Sequence, residues 1–182
     1  EQVYLAGAQR FKFCVHEAKF YLTGCREAGV LANMAAMYNP AVWAGVATVG
    51  GSQLNENYRQ AAVEDFCTNL DGFIDETHRL NLKKSDIPMP AWVINDPESP
   101  VGTDTGTADY WKRSCGITED GKQTSADTVT YIRSAEPPYA PNQEKEAFRV
   151  CMSTIPGGTA DYANLLLRRI WKDFLYRQRR WM

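Results

Sequence analysis

"AGVLANMAAMYNPAVWAGVATVGG", Ala28 to Gly51, contains no charged side chain, and the gap extends through Asn55. A membrane span, a buried core segment and a contact surface would each leave such a run. A span needs about 20 predominantly apolar residues. The length suffices, but Asn33, Asn39 and Pro40 interrupt it, and its bulk is Ala and Gly rather than Leu and Ile. Pro40 divides it into two pieces of about ten residues, each too short to cross. The spacing therefore predicts a helical hairpin, turned at "YNP" and buried in a core. Met34, Met37, Tyr38 and Trp43 are adaptable or amphipathic, so the same segment would also suit a homodimer seam or a partner face.

Helical periodicity extends outward from this segment in both directions. Leu5, Ala8, Phe11, Val15, Ala18, Leu22 and Cys25 recur at three- and four-residue steps, as do Ala62, Val63, Phe66, Cys67, Leu70, Phe73 and Ile74. A third run, Tyr162, Leu165, Leu166, Ile170 and Phe174, follows "PGGT", where Thr159 suits an N-cap. Shorter helices are expected over 125–133 and 142–152. Strand signals are sparse, with "PAWVIND" a short extended piece. These patterns predict an all-α fold, a compact helical bundle forming one domain over residues 1–182.

The exception is 85–110, "SDIPMPAWVINDPESPVGTDTGTADY". Its four prolines and two glycines forbid a continuous helix. It carries Asp86, Asp96, Glu98, Asp104 and Asp109 and no Lys or Arg. Loops this long in compact domains are often functional, so this one is expected to be ordered and to bind a partner. Trp92 would be the anchor, and Asp96, Glu98 and Asp104 would meet a basic cleft.

Composition narrows the classes. An apolar share of 44% and a charged share of 23% are those of a globular chain, and a net charge of −2 disfavours nucleic acid as the partner of the whole molecule. Cys14, Cys25, Cys67, Cys115 and Cys151 form no CxxC pair, and only two histidines are present, so zinc spacing is absent. No metal or cofactor is implied. Dispersed cysteines fit disulfides in an oxidising compartment, and buried reduced thiols are the alternative. On one helix Cys14 and Cys25 would stand about 16 Å apart, beyond the ~7 Å that a bridge allows. The pairing expected is Cys115 with Cys151, and Cys67 with Cys14 or Cys25. The missing initiator Met suggests a removed signal peptide, hence a periplasmic or secreted protein.

"LLLRRIWKDFLYRQRRWM" closes the chain with six cations, one acid and interleaved aromatics. Cations at a helix C-terminus complement its dipole, and contact with nucleic acid or an anionic membrane surface is the functional alternative. Catalytic signatures are missing: there is no Gly-x-Ser-x-Gly elbow, P-loop or GxGxxG. "CVH" and "DETH" do not place their residues on one helix face. A cluster of Glu17, Asp71, Glu76 and His78 is the remaining enzymatic possibility.

Two segments resemble a family. "DFCTNLDGFIDETHRL", Asp65 to Leu80, and "FRVCMSTIPGGTADYANLLLRRIWKDFL", Phe148 to Leu175, are similar to the Cys-helix and Cys–Pro-x-Gly-x-Thr patterns of the Rap/Tai-type amidase-immunity proteins of type VI secretion. "SCGITEDGKQTSADTVTYIRSAEP" is a second candidate for the latter element. The resemblance covers about a quarter of the chain. It implies a periplasmic, helical, disulfide-bearing protein, often dimeric, that plugs the active-site cleft of a cell-wall-degrading effector, with Cys67 and Cys151 as structural cysteines. The expected function is thus a non-enzymatic inhibitor binding a protein partner; the alternative is a structural subunit of an envelope or secretion complex, contacting its neighbours through 28–55.

Overall fold

A computed structural model describes residues 19–40, 42–51, 87–99, 101, 106–132 and 149–178. In these, the uncharged segment is not a helical hairpin. It is a helix followed by a strand, and this one difference changes the fold class. Strand β1 (Tyr21–Cys25) leads through a single residue into α1 (Glu27–Tyr38), and β2 (Gly45–Val49) returns beside β1. After it come β3 (Ala91–Asn95), α2 (Gly106–Ser114), the strands β4 (Lys122–Ser125) and β5 (Thr128–Ile132), β6 (Arg149–Thr154), a π-helical turn at Tyr162–Leu166, and α3 (Leu167–Asp173).

The strands form one mixed sheet in the order β1-β2-β3-β6-β5-β4. The first four run parallel, with Tyr21 opposite Gly45, Val46 opposite Ala91, and Ala91 opposite Val150. β5 and β4 continue the sheet antiparallel beyond β6. This is an α/β architecture, so the all-α expectation is corrected. The physical reason lies in β2 and β3, "GVATV" and "AWVIN", in which every residue is buried. A parallel strand covered on both faces has no polar alternation to betray it. In β2, small apolar residues imitate the close-packed seam of a helix pair.

The sheet separates two cores. On one face α1 and α2 bring Ala32, Ala36, Met37, Ala108, Tyr110 and Trp111 against Val46, Val93 and Val150. On the other, Leu166, Ile170, Phe174 and Leu175 cover Ala47, Val49, Trp92, Ile94 and Cys151. The stretch Ala28–Gly51 is therefore core, although α1 leaves Leu31 and Tyr38 exposed. No helix of the described residues is long and apolar enough to cross a membrane. Asn33 joins three elements on the first face: its Nδ2 donates to Thr48 Oγ1 (3.1 Å) and its Oδ1 accepts from Trp111 Nε1 (3.1 Å).

Further expectations change. Leu22 and Cys25 lie on β1 rather than on a first helix, 125–132 carries the end of β4, the turn and β5, and Arg149–Met152, expected at the end of a helix over 142–152, lies on β6. The irregular stretch 85–110 contains β3, as "PAWVIND" suggested, and the start of α2. Cys25, Cys115 and Cys151 form no disulfide. The expected Cys115–Cys151 bridge is ruled out by topology, because the two sulfurs belong to cores on opposite faces of the sheet. Cys14 and Cys67, and the periodic run at 62–74, lie outside the described residues.

Candidate functional site

In open sheets with parallel strands, ligands are met beyond the carboxyl ends of the strands. Four such ends stand side by side here, and the polar side chains of the chain's middle and end converge on them. At the end of β1 the backbone turns into α1 within one residue. Arg26 makes that turn at φ 54° and ψ −126°, the only non-glycine residue with positive φ among the described residues. Such a conformation costs a side chain-bearing residue on the order of 1–3 kcal/mol and persists only where the surroundings enforce it.

Those surroundings are explicit. A Cβ on Gly24 would stand 2.2 Å from the carbonyl oxygen of Ala28, and one on Gly51 would stand 2.2 Å from that of Arg26. Strand, turn and helix thus fold onto one another where no side chain fits between them. The Arg26 N–H donates to the Val49 carbonyl (2.9 Å), tying the turn to the end of β2. Sharp strand-to-helix turns of this kind, with a strained residue at the apex and glycine two residues before it, are the elbows on which α/β-type hydrolases raise a serine nucleophile.

The ends of the other strands are stitched to the elbow in sequence. Ser99, in the loop after β3, donates to the Gly50 carbonyl after β2 (2.9 Å). Asp96 takes four hydrogen bonds: Oδ1 from the amides of Glu98 (3.0 Å) and Gly157 (3.1 Å), Oδ2 from the amide (2.8 Å) and hydroxyl (2.6 Å) of Thr159. The loop after β6 then reaches back to β1, where the Thr159 carbonyl accepts from the Cys25 thiol (3.6 Å) and Tyr162 shares a hydrogen bond with Thr23 (2.9 Å). Burial pushes the Asp96 carboxyl upward, but the bonds from Thr159, Glu98 and Gly157 outweigh it, and its pKa lies below the ordinary value. Asp96 is an ionised clasp between two loops.

Nucleophilic chemistry needs more than the frame. The apex side chain is a guanidinium, which cannot attack a carbonyl. Burial raises the pKa of the neighbouring Cys25 thiol, against a lowering by Arg26, and Asp96 and Glu27 raise it further, so a reactive thiolate is disfavoured. In the hydrolase order, nucleophile, acid and histidine follow one another along the chain. The loop after β6 does arrive at the elbow, but it reads Pro156-Gly157-Gly158-Thr159, and no histidine occurs after His78. What the crest does present is the exposed Arg26, which no carboxylate among the described residues pairs with.

A second feature lies further along the same sheet. A cleft of about 310 Å³ opens beside the β4–β5 hairpin, with Asn95, Asp127, Tyr131, Met152 and Thr154 in its lining. Arg169 grips Asp127 with two bonds (2.7 and 2.9 Å). That grip, with help from Ser125 and Thr128, holds the Asp127 carboxyl far below its ordinary pKa.

The residues expected to bind a partner are dispersed by the structure. Trp92 lies on β3, 4% exposed, and donates through Nε1 to Ser153 (2.8 Å). A side chain so covered cannot anchor a partner without opening the sheet. Asp96 is fully buried and spent on its clasp. Glu98 is exposed beside it, and Asp104 lies outside the described residues, as do Glu17, Asp71, Glu76 and His78. Thr159, expected to cap the last helix, instead binds Asp96. The elbow motif is defined by its serine, so Arg26 carries no mark of it in the sequence. The signal that could have found it is "YLTGCREAG", a short β-prone run ending in glycine two residues before a charged residue that opens a helix. No family model matches the chain, and no curated protein matches it.

Proposed function

We propose that this chain is a binding protein built on a hydrolase-type strand–elbow–helix frame, with an arginine in the place of the nucleophile. Its ligand would carry a carboxylate or phosphate, met by Arg26 at the carboxyl ends of the parallel strands. The observation that carries this is the strained backbone of Arg26 at the apex. A conformation that costs stability is held by close approach at Gly24 and Gly51, by the bond from the Arg26 amide to Val49 and by the loop after β6 bonding Cys25 and Thr23, yet it presents a group fit for binding and unfit for attack. Guanidinium pairs with two oxygens of a carboxylate or phosphate through two parallel donors, which favours this ligand class over a neutral one.

The expectation of an inhibitor belongs to the same class, binding without turnover, and a protein partner offering an acidic side chain at Arg26 fits it. The more specific expectation of a periplasmic antibacterial-immunity protein leaned on bridged sulfurs and a helical bundle. The unbridged sulfurs and the mixed sheet remove that support.

The test has two arms. Native protein and Arg26→Ala are titrated with inorganic phosphate and with acetate while the amide resonances of 24–30 are followed. Both are also offered p-nitrophenyl acetate. Saturable shifts confined to the elbow in the native protein, lost in the variant, with no turnover above background, are the expected result. Turnover by the native protein that Arg26→Ala abolishes, or the absence of any shift at the elbow, would overturn the proposal.

A further inference from the structure

We infer that the outer surface of α3 and the turn after it form a seat for an anionic lipid bilayer. This inference is independent of the elbow. Of the six large hydrophobic side chains exposed among the described residues, three fall within this short stretch: Leu167 (37%), Trp171 (48%) and Tyr176 (61%). Leu167 and Trp171 are four residues apart and share a helix face. The adjoining face, through Leu166 and Ile170, is sunk in the core.

The aromatic pair is held in place rather than loose. Trp171 packs edge to face on Tyr21 of β1 (5.5 Å between ring centres) and again on Tyr176 (5.9 Å). Tyr21 is itself fixed by donating from its hydroxyl to the Gln178 carbonyl (2.8 Å).

Cations ring this apolar strip. Arg168, Lys172 and Arg177 are exposed along it, and Lys19 stands over the Tyr176 ring at 5.5 Å. None of the four is in an ion pair with a carboxylate among the described residues, and Asp173 is the one acid in the stretch from Leu167 to Gln178. A strip of Leu, Trp and Tyr edged by Lys and Arg is the arrangement that settles into the headgroup region of a charged bilayer, its rings at the interface and its cations on the phosphates. Nucleic acid fits less well. Leu167, at the head of the strip, offers no π face on which a base could stack, and Lys19 already stands over the Tyr176 ring.

Co-sedimentation with vesicles tests this on the full chain. The vesicles are phosphatidylcholine alone or phosphatidylcholine with about 30 mol% phosphatidylserine, at low and physiological salt. Native protein should sediment with the anionic vesicles and not with the neutral ones. Reversing Arg168→Glu and Lys172→Glu together should weaken binding by at least ~30-fold. The pair Trp171→Ala and Tyr176→Ala should weaken it by about tenfold or more. Tyr176→Ala alone, at the most exposed of the rings, repeats the test if the double variant loses its circular dichroism. Brominated lipid should quench a fluorescence component that disappears in Trp171→Phe. Equal binding to both vesicle types, no binding at low salt, aromatic variants that bind as well as native, or a preference for single-stranded DNA over the anionic vesicles would each sink the inference.

Discussion

Arg26 shows how one residue can be dictated by its position and still be the wrong residue for that position's usual chemistry. The backbone at φ 54° would suit glycine better than arginine. Arg26→Gly should therefore raise stability by about 1 kcal/mol by relieving the strain, while removing the cation that the proposed ligand needs. Chemical denaturation checks the first half and the phosphate titration the second. A fall in stability on this substitution would mean that the guanidinium makes contacts that outweigh the strain. Asp96 is the opposite case. In the sequence it reads as a loop acid that meets a partner; it does lie in the loop, but four hydrogen bonds turn it inward. Nothing in "INDPES" says which backbone amides 61 and 63 residues later will reach it. That knowledge requires the pairing of β3 with β6.

At the scale of elements, the elbow depends on the absence of side chains between β1, α1 and the end of β2. Gly24→Ala would drive a methyl group into the Ala28 carbonyl. It should cost about 3 kcal/mol through forced backbone movement, measurable as a lowered denaturation midpoint with an unchanged slope. The helical stripe from Tyr162 to Phe174 was legible because one face meets the core and the other meets water. "PAWVIND" was legible because prolines bound a short apolar run. β2 was not, because neither of its faces is polar. β5, "TVTYI", does alternate between buried and half-exposed positions, yet Ser125 before it imitates a helix cap while serving as the end of β4. The site was legible only as a loop rich in acids. Its cation lies 70 residues earlier, and nothing but the sheet brings the two together.

For the whole molecule, the two depressed carboxyls set the response to acid. Asp96 and Asp127 both have folded-state pKa values below their ordinary ones. The unfolded chain therefore binds protons first as pH falls, and stability contributed by these groups declines from about pH 4 downward. Asp96→Asn should flatten that decline and lower stability at neutral pH by about 2–3 kcal/mol, since the amide cannot accept as the carboxylate does. Melting temperatures of both proteins between neutrality and pH 3 provide the check, and parallel curves would show that Asp96 does not carry the effect. The placement of the thiols has a consequence of another kind. Cys25 is half-exposed at the elbow, while Cys115 and Cys151 are sealed into separate layers. Of these three, a slow alkylating agent should modify Cys25 first. Its later reaction at the two sealed sulfurs then times the opening of each layer on its own, so the native chain carries an internal clock for each side of its sheet.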